Sequence, residues 1–431
     1  MTRFDLAYLA LAPAAATVIG YKRWRHGKYR ESAGAMLGHA LQAEDRSRWA
    51  NGSIWVHAVS VGEVTAARAM LPLLGQAFPQ WPILLTTHTE TGQAQAKQLE
   101  GSLAAAVRYY PLDFSWTVNA FADVYKPRLF IPMETELWPN ALNIFADRGS
   151  QIFVLNGKIS ERSYKSYMKV RGLIRQPLSR VTAFCMQTSA DVRRIKTLSG
   201  AGPEIQVTGN CKFDSPLAAP DTERRAELEA RCFLTEGSIP VVAGSTHQGE
   251  EELIIAAWQR IAARFPQAKL LLVPRHPERF KQVWELLLSL GLPVRRVSDG
   301  ATAGNGDTSI VLVDEMGVLA SLYSVARVAI IAGSFVPGIG GHNLLEAAGH
   351  GVPVIYGPHM SKQPDMVRIL TPQNGGTIAA TSAEIAEGLT LFLGDRSYAR
   401  RIGEKGRRAF DEHRGSAQRN LEIILKHVKA T

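Results

Sequence analysis

Four acidic side chains and one lysine follow short apolar runs in the first half of the chain. Glu63 comes after the run IWVHAV and just before a helix-like stretch, VTAARAMLPLL. Glu134 and Glu136 follow the run RLFIPM, and Lys212 and Asp214 lie in TGNCKFD. A carboxylate in such a position could act as a general base, which takes a proton from a reacting hydroxyl. Glu63 could equally be a favourable charge at a helix start, and the others could be surface charges.

A glycine-rich loop follows an apolar run in the second half of the chain, in the stretch GSFVPGIGGHNLLEAA that begins at residue 333. Gly338, Gly340 and Gly341 would let the backbone approach a ligand closely. Asn343 and Glu346 have the spacing of a helix cap and its partner acid, which alone would explain both residues. Free backbone N–H groups at this helix start could also bind a phosphate.

Two further loops of the second half carry candidate binding residues. Arg275 and His276 lie in LLLVPRHPERF, between two prolines that stiffen the loop. Arg275 could bind a phosphate through two parallel hydrogen bonds, and a charge directly after an apolar run favours ligand contact over a solvated turn. Met316 and Gly317, in VDEMGVL, could offer backbone groups to a flat base, although an ordinary loop between a strand and a helix has the same pattern.

The elements that must position these residues alternate along the chain. Apolar runs cover residues 54–59, 82–87, 128–133, 152–157 and 205–209, and then 240–246, 269–275, 309–314, 327–333 and 352–357. Such runs, separated by helical patterns, predict parallel sheets that are covered on both faces. A proline-rich linker, DSPLAAPDT, divides the two sets. We therefore predict two Rossmann-like doubly wound α/β domains, residues 31–214 and 215–431, that face each other across a cleft.

The first 30 residues differ from the rest. An almost wholly apolar stretch over residues 6–20 precedes a basic and aromatic one, YKRWRHGKYR. The apolar stretch is shorter than the roughly 20 residues of a full membrane span. Positive charge after it, rather than before it, disfavours a cleaved signal peptide and predicts that the following chain stays in the cytoplasm. We predict a membrane anchor with a basic flank over residues 1–30; a buried first helix is the alternative.

Composition narrows the class of partner. Lys and Arg total 49 and Asp and Glu total 39, which gives a net charge of +10 and favours anionic lipid or a phosphorylated substrate. The basic residues are dispersed and no RNA-binding aromatic signature is present, so nucleic acid is not expected. Three cysteines without CxxC spacing disfavour disulfides and a zinc site. The sequence also lacks G-x-G-x-x-G, Walker, H-E-x-x-H, D-x-D and G-x-S-x-G patterns, which disfavours dehydrogenases, P-loop NTPases, metal-dependent chemistry and serine hydrolases.

Six stretches together resemble the motif series of one family. HAVSVGE, PMETELWPN, TGNCKFD, PRHPERF, DEMG and GGHNLLEAAGHGVPV are similar to the motifs of the Kdo transferases, in the family's order, over about residues 50–370. These are membrane-associated glycosyltransferases of lipopolysaccharide assembly, and Kdo is 3-deoxy-D-manno-octulosonic acid. The resemblance implies a GT-B fold. It also implies inverting transfer of Kdo from CMP-Kdo to a lipid A precursor, lipid IVA, at the cytoplasmic face of the inner membrane, without a metal or other cofactor.

The resemblance also implies roles for individual residues. Glu63 would be the general base, and Glu134 and Lys212 would stabilise the transition state. The residues implied to contact CMP are Arg275, His276, Met316, Gly317, Val318, Asn343, Leu344, Leu345 and Glu346. By analogy with GT-B enzymes, Glu346 would hold the ribose hydroxyls. Val318 replaces the family's usual glutamate, so that a contact there would use its backbone.

Two other functions share parts of this pattern. A GT-B-like sugar-nucleotide epimerase would have the same two domains, but it would not explain a membrane anchor. An inactive membrane-bound scaffold that binds nucleotide or lipid would have no need of Glu63, Glu134 and Lys212. The number of Kdo residues transferred, the acyl and phosphate pattern of the acceptor and the oligomeric state have no signal in the sequence.

Overall fold

The computed structural model describes residues 1–10, 12, 32–214, 217, 222–300, 308–372 and 375–428. The chain divides into two compact units. The first unit comprises Met1–Ser215 together with His413–Thr431, and the second comprises Pro216–Glu412. Each unit contains one seven-stranded sheet in which every paired strand runs parallel to its neighbour. The predicted pair of doubly wound α/β domains is therefore confirmed.

The sheet of the first unit has the strand order β3-β2-β1-β4-β5-β6-β7. Its strands are β1 Ser53–His57, β2 Ile83–Thr87, β3 Ala106–Tyr109, β4 Pro127–Pro132, β5 Gln151–Gly157, β6 Ala183–Met186 and β7 Glu204–Val207. Its helices are α1 Ser32–Met36, α2 Val61–Ala77, α3 Glu90–Lys97, α4 Ser115–Tyr125, α5 Pro139–Asp147, α6 Glu161–Lys169, α7 Arg171–Leu178 and α8 Ser189–Ser199. The unit also includes 3₁₀ turns at His39–Ala43, Arg46–Trp49 and Cys211–Asp214, and the C-terminal helix Ser416–His427.

The two faces of this first sheet bury different side chains. Large aromatic rings, among them Trp55, Phe130 and Phe145, fill one face and are fully buried. Aliphatic side chains of α2 and of the C-terminal helix, such as Leu74 and Ile424, fill the other. Strand β1 is buried along its whole length, as a central strand covered on both faces must be.

The C-terminal helix corrects the domain division proposed from the sequence. Residues 215–431 were assigned to one domain, but residues from His413 onward belong to the first unit. The helix packs against α2 and buries Leu421, Ile423 and Ile424 in the aliphatic core. Its apolar stripe finds its partner surface on the first sheet, and burial of that stripe is the force that stabilises such a helix.

The sheet of the second unit has the strand order β10-β11-β9-β8-β12-β13-β14. Its strands are β8 Ile239–Thr246, β9 Ala268–Pro274, β10 Val294–Arg296, β11 Ile310–Leu312, β12 Val328–Ile331, β13 Val354–Tyr356 and β14 Gly376–Ile378. Its helices are α9 Thr222–Arg231, α10 Glu250–Ile261, α11 Phe280–Ser289, α12 Leu319–Tyr323, α13 Leu345–Gly349, α14 Pro364–Leu370, α15 Ser382–Gly394 and α16 Arg396–Glu412.

Every apolar run identified in the sequence corresponds to a strand, and four strands were not predicted. These are β3, β6, β10 and β14, each of three or four residues. Strands β3, β10 and β14 lie at the edges of their sheets, where burial on both faces is not required. Their polar or glycine-containing sequences therefore lack the continuous apolar pattern on which the prediction relied.

Only the beginning of the predicted membrane anchor is described. Residues 3–10 are helical, and the side chains of Phe4 and Asp5 are buried in the first unit. The Asp5 carboxylate accepts hydrogen bonds from the backbone and hydroxyl of Ser115, at 2.8 and 2.6 Å, and from Asn140 Nδ2 at 2.9 Å. Residues 11 and 13–30 of the predicted anchor and basic flank lie outside the described residues. Within the described part of the chain, each helix is too short or too polar to cross a bilayer.

Candidate functional site

Glu63 lies in the first turn of α2, directly after β1. Its side chain is only 7% exposed. One carboxylate oxygen accepts a hydrogen bond from the backbone N–H of Val59 at 2.8 Å, and the other accepts one from the Ser60 hydroxyl at 3.1 Å. The carboxylate thus accepts hydrogen bonds from groups at the start of the helix. This is the arrangement expected if Glu63 were only a favourable charge at a helix start. The same two bonds hold it in one orientation, which a positioned base also requires.

The surroundings of Glu63 change its acidity. Burial, with a further contribution from the carboxylates of Glu134 and Glu136, raises the pKa of Glu63 to about 8. The hydrogen bonds from Val59 and Ser60 act in the opposite direction but are outweighed. A carboxylate with this pKa is a stronger base than an ordinary glutamate, and its pKa is suited to proton transfer near neutral pH.

Glu134 and Lys212 form an ion pair in the same unit. Lys212 Nζ lies 3.2 Å from Glu134 Oε1, and both side chains are partly exposed. Glu134 follows β4 and has a φ of 56°, a conformation that residues other than glycine rarely adopt. Its backbone N–H donates to the carbonyl of Leu155 at 2.8 Å, which holds the turn to β5. Such uncommon backbone conformations are found most often at functional sites.

The same lysine reaches the first turn of α2. A Cβ atom placed on Gly62 would lie 3.4 Å from Lys212 Nζ, so the lysine side chain passes beside the residue that precedes Glu63. Electrostatic coupling between Glu63 and Glu134 agrees with this proximity. The three residues predicted to be catalytic therefore lie together at the carboxyl ends of the strands of the first sheet, where ligands of parallel sheets bind.

The turn Cys211–Asp214 that carries Lys212 is anchored at both ends. The backbone N–H of Cys211 donates to Asn156 Oδ1 at 3.0 Å, and Asn420 Nδ2 of the C-terminal helix lies 3.0 Å from Cys211 Sγ. At the other end, Asp214 accepts hydrogen bonds from the backbone of the first turn of the C-terminal helix. The sequence pattern did not indicate these supports, because they join segments that lie from 55 to about 200 residues apart.

In the second unit, Arg275 and His276 follow β9 and are exposed. The backbone N–H of Arg275 donates to the carbonyl of Thr246 at 3.0 Å, which fixes the loop to the end of β8. Burial raises the pKa of Glu346, and the hydrogen bond from Asn343 and the charge of Arg275 partly offset this effect. Arg275, Asn343 and Glu346, three of the residues implied to contact CMP, are therefore neighbours.

Asn343 makes two hydrogen bonds at the end of the glycine-rich loop. Its Oδ1 accepts from the backbone N–H of Leu345 at 2.9 Å, and its Nδ2 donates to Glu346 Oε1 at 3.0 Å. This pattern differs from the capping box anticipated from the sequence, because the asparagine bonds to the glutamate side chain and α13 begins at Leu345. The side chains of Leu344 and Leu345 are buried, so that only their backbone groups are available to a nucleotide.

The third predicted loop connects β11 to α12. Met316 is 51% exposed, and Gly317 has a φ of 86°, a conformation favoured by glycine. Val318 is half-buried and directly precedes α12. This loop therefore offers exposed backbone and one flexible apolar side chain at the carboxyl edge of the second sheet, as expected for a contact with a flat base.

Two histidines of the second unit lie together at the site but were not predicted from the sequence. The Nε2 atoms of His247 and His342 lie 2.8 Å apart, and their rings are stacked with centroids 5.1 Å apart. His247 follows β8 directly and His342 lies in the glycine-rich loop. Arg275 was predicted because it is a polar residue directly after an apolar run. His247 also directly follows an apolar run, so the same signal could have identified it.

Comparison with known proteins identifies the family. Residues 25–215 match the family model described as 3-Deoxy-D-manno-octulosonic-acid transferase (kdotransferase). The 3-deoxy-D-manno-octulosonic acid transferase of Haemophilus influenzae is 33% identical over 379 residues, which is 87% of this chain and 87% of that protein. This chain belongs to the Kdo transferase family. The enzyme of the same name from Chlamydia trachomatis serovar A is 29% identical over 414 residues, 95% of this chain and 93% of that one.

Solved structures agree on the fold. UDP-GlcNAc 2-epimerase from Neisseria meningitidis superposes with a TM-score of 0.59 and 14% identity, over 86% of this chain and 99% of that one. A glycosyltransferase from Rickettsia africae superposes with a TM-score of 0.55 and 12% identity, over 88% and 100%. At this identity the likeness establishes the GT-B class of fold and nothing about chemistry.

Family membership decides between the functions left open by the sequence. The chain is a glycosyltransferase of the Kdo transferase family and acts in Kdo transfer during lipopolysaccharide biosynthesis. The epimerase alternative rested on the shared fold alone and is wrong. The inactive-scaffold alternative is wrong as well, because the relatives that match over most of the chain are named as transferases.

Proposed function

We propose that this Kdo transferase is an inverting enzyme that moves Kdo from CMP-Kdo to a lipid A precursor, lipid IVA, with Glu63 as the general base. The observation that carries the proposal is the group formed by Glu63, Glu134 and Lys212. A buried carboxyl with a raised pKa lies beside an ion pair in the first unit. The candidate nucleotide contacts lie on loops of the second unit.

In the proposed step, Glu63 takes the proton of an acceptor sugar hydroxyl as its oxygen attacks the anomeric carbon of Kdo. The bond from that carbon to the phosphate oxygen breaks, and CMP leaves with the electron pair. Attack opposite the leaving group inverts the anomeric centre. Proton transfer to a positioned base accelerates such a step by roughly 10²–10⁴-fold.

Glu134 and Lys212 would act on the charge that develops in this step. Lys212 carries a positive charge next to the first turn of α2 and would stabilise negative charge near the reacting atoms. Glu134 would orient Lys212 through their 3.2 Å contact and would stabilise positive charge on the Kdo ring. The carboxylate of Glu134 also contributes to the raised pKa of Glu63, and thus to its strength as a base.

The donor would bind the second unit through its nucleotide. Arg275 would contact the phosphate, since its guanidinium is exposed and has no salt-bridge partner among the described residues. Glu346 would accept hydrogen bonds from the ribose hydroxyls, and Asn343 would hold Glu346 in place. The loop from Met316 to Val318 would contact the cytosine ring through its backbone and the Met316 side chain.

We further propose that the enzyme needs no metal ion and works at the cytoplasmic face of the inner membrane. The chemistry uses a protein base and protein cations, so a metal is not required to offset the charge of the leaving group. The net charge of +10 and the basic residues at 21–30 favour an anionic lipid surface. The acceptor, a phosphorylated lipid, resides at such a surface.

The test is a mass-spectrometric assay of the purified protein with CMP-Kdo and the tetra-acylated lipid A precursor. It is run without added metal and again with a chelator, and Glu63→Gln serves as the inactive control. A mass gain of one or more Kdo units in both conditions is expected. CMP-N-acetylneuraminic acid, which has the same nucleotide and a different sugar acid, should give no product. Absence of a Kdo-bearing product with the natural protein would overturn the proposal.

A further inference from the structure

The His247–His342 pair lies within a cluster of positive charge in the second unit. Both rings are affected by the charges of Arg275 and Lys362 and by the ring of His276, whose centroid is 5.3 Å from that of His247. Four loops supply these residues, after strands β8, β9, β12 and β13. All four loops emerge at the carboxyl edge of the second sheet, where ligands of such sheets bind.

Few nearby acids offset this positive charge: Glu346 lies near Arg275, and Glu278 Oε1 is 3.8 Å from His276 Nδ1. Arg279, which also faces His247, is already paired with the buried carboxylate of Glu251 at 2.6 Å. Glu250 is buried too, and its two carboxylate oxygens accept the backbone N–H groups of His247, Gly333 and Phe335. Among the described residues, neither Arg275 nor Lys362 forms a salt bridge. An oxyanion is the ligand that such a set of groups would bind.

The contact between the two rings limits where their protons can lie. A hydrogen bond between two Nε2 atoms needs one N–H donor and one bare nitrogen acceptor, so only one of the two Nε2 atoms carries a proton, and a further proton could bind at the other once the bond is broken. Burial, followed by the positive charges around the pair, lowers the pKa of each ring to about 4. An anion bound beside the rings would reverse the electrostatic part of this effect and would favour a second proton.

We propose that His247 and His342 form a proton-coupled oxyanion site for the sugar-nucleotide donor. The donor's anionic group replaces the hydrogen bond between the rings, one further proton binds, and each ring then donates an N–H to the anion. Arg275 and Lys362 complete the site. This inference rests on the proposed CMP-linked donor. Two groups of that donor have the required chemistry, the phosphoryl group and the carboxylate of the sugar acid.

The test measures proton uptake by isothermal titration calorimetry of the whole protein near pH 7, in two buffers that differ in ionisation enthalpy. CMP and CMP-Kdo are the two probes. Binding of at least one of them should take up about one proton more in the natural protein than in His247→Gln or His342→Gln, because glutamine cannot accept that proton. Both variants should bind the same probe at least several-fold more weakly.

A matched control comes from His350, a half-buried histidine of the same unit that lies near Arg407 and also has a lowered pKa. His350→Gln should keep the full proton uptake, and a melting curve for each variant checks that it is folded. Extra uptake with CMP identifies the phosphoryl group as the ligand, whereas uptake with CMP-Kdo alone identifies the carboxylate. Binding without this histidine-dependent uptake would overturn the site. Failure of the natural protein to bind either probe would overturn the proposed donor and the site with it.

Discussion

Asp214 and Gly415 are joined by a hydrogen bond of 2.5 Å, although they are 201 residues apart in the sequence. The other oxygen of the same carboxylate accepts the backbone N–H of Ala417 at 2.7 Å. Asp214 thereby caps the C-terminal helix and at the same time ends the turn that carries Lys212. The last helix of the chain is thus a structural support of the candidate catalytic group in the first unit.

This relationship predicts a specific defect in Asp214→Asn. Loss of one carboxylate oxygen should release the start of the C-terminal helix and loosen Lys212, which should lower kcat by roughly 10- to 100-fold. The free energy of unfolding should fall by about 1 kcal/mol, the usual cost of a lost helix cap. KM for CMP-Kdo should hardly change, because the proposed donor contacts belong to the second unit. Steady-state kinetics and urea unfolding provide these values.

Asp395→Asn is the matched control, since Asp395 caps the start of α16 through the backbone N–H groups of Ser397 and Tyr398. It should reduce stability by a similar amount without a specific loss of kcat. Equal losses of kcat in the two variants would mean that Asp214 affects activity only through general stability.

Glu63→Gln should lower kcat by roughly 10²–10⁴-fold, since the amide cannot accept the proton of the acceptor hydroxyl. The glutamine oxygen can still accept the hydrogen bond from Val59, so the fold should persist. Glu384→Gln is the control, because Glu384 accepts backbone hydrogen bonds at the start of α15 in the same manner. Near-normal turnover by Glu63→Gln would return this residue to the role of a helix-start charge.

The raised pKa of Glu63 predicts the pH dependence of the reaction. Only the deprotonated carboxylate can act as a base, so kcat/KM should rise with pH and level off above about 8. Burial is the main cause of the raised pKa, with Glu134 and then Glu136 adding to it, so Glu136→Gln should shift the rise to lower pH. A profile that does not move in Glu136→Gln would show that the rise reports another group.

The same pKa predicts how stability varies with pH. Folded Glu63 keeps its proton up to a pH of about 8, whereas the unfolded chain releases it near its ordinary value of 4.5. The folded state therefore binds more protons in this interval, and its stability falls as pH rises. Burial raises the pKa of Asp113 to about 6 and of Glu136 to about 7. These two groups therefore also make the stability of the folded state fall as pH rises. Urea unfolding across this range should show a smaller pH dependence in Glu63→Gln than in the natural protein; an unchanged slope would contradict the assignment.

Gly333→Ala tests the oxyanion site without removing a polar group. A Cβ atom there would lie 2.5 Å from His342 Cδ2, so the ring would have to move. KM for CMP-Kdo should rise by about tenfold, which corresponds to roughly 1.4 kcal/mol. Gly291→Ala is the control, because Gly291, just after α11, has a similar positive φ of 62° but no heavy atom within 4 Å of its Cβ position. It should suffer similar backbone strain and keep a nearly normal KM; an equal or larger rise in Gly291→Ala would contradict a role for His342.

Much of the architecture was readable from local patterns. A strand buried on both faces must be apolar along nearly its whole length. A run such as IWVHAV can therefore be predicted as a strand from its own sequence, without knowledge of the neighbouring strands. In each sheet, parallel strands separated by helices place their carboxyl ends at the same edge. For this reason Glu63 and Glu134 in the first sheet, and Arg275 in the second, could be chosen as site candidates. The short edge strands lack that apolar pattern, and they were missed for that reason.

The pairings within the site depend on information that no local pattern contains. Lys212 meets Glu134 across 78 residues because the turn that carries Lys212 is held by Asn156 and by the C-terminal helix. His247 meets His342 across 95 residues because β8 and β12 are neighbours in the second sheet. Likewise, the amphipathic pattern of the C-terminal helix predicts a buried face but does not say which sheet covers it. Residue types and their order along the chain are therefore enough to indicate strands, loops and candidate chemistry. Strand order and long-range packing determine which of those candidates touch, since contact energies between distant segments arise only when the whole chain is folded.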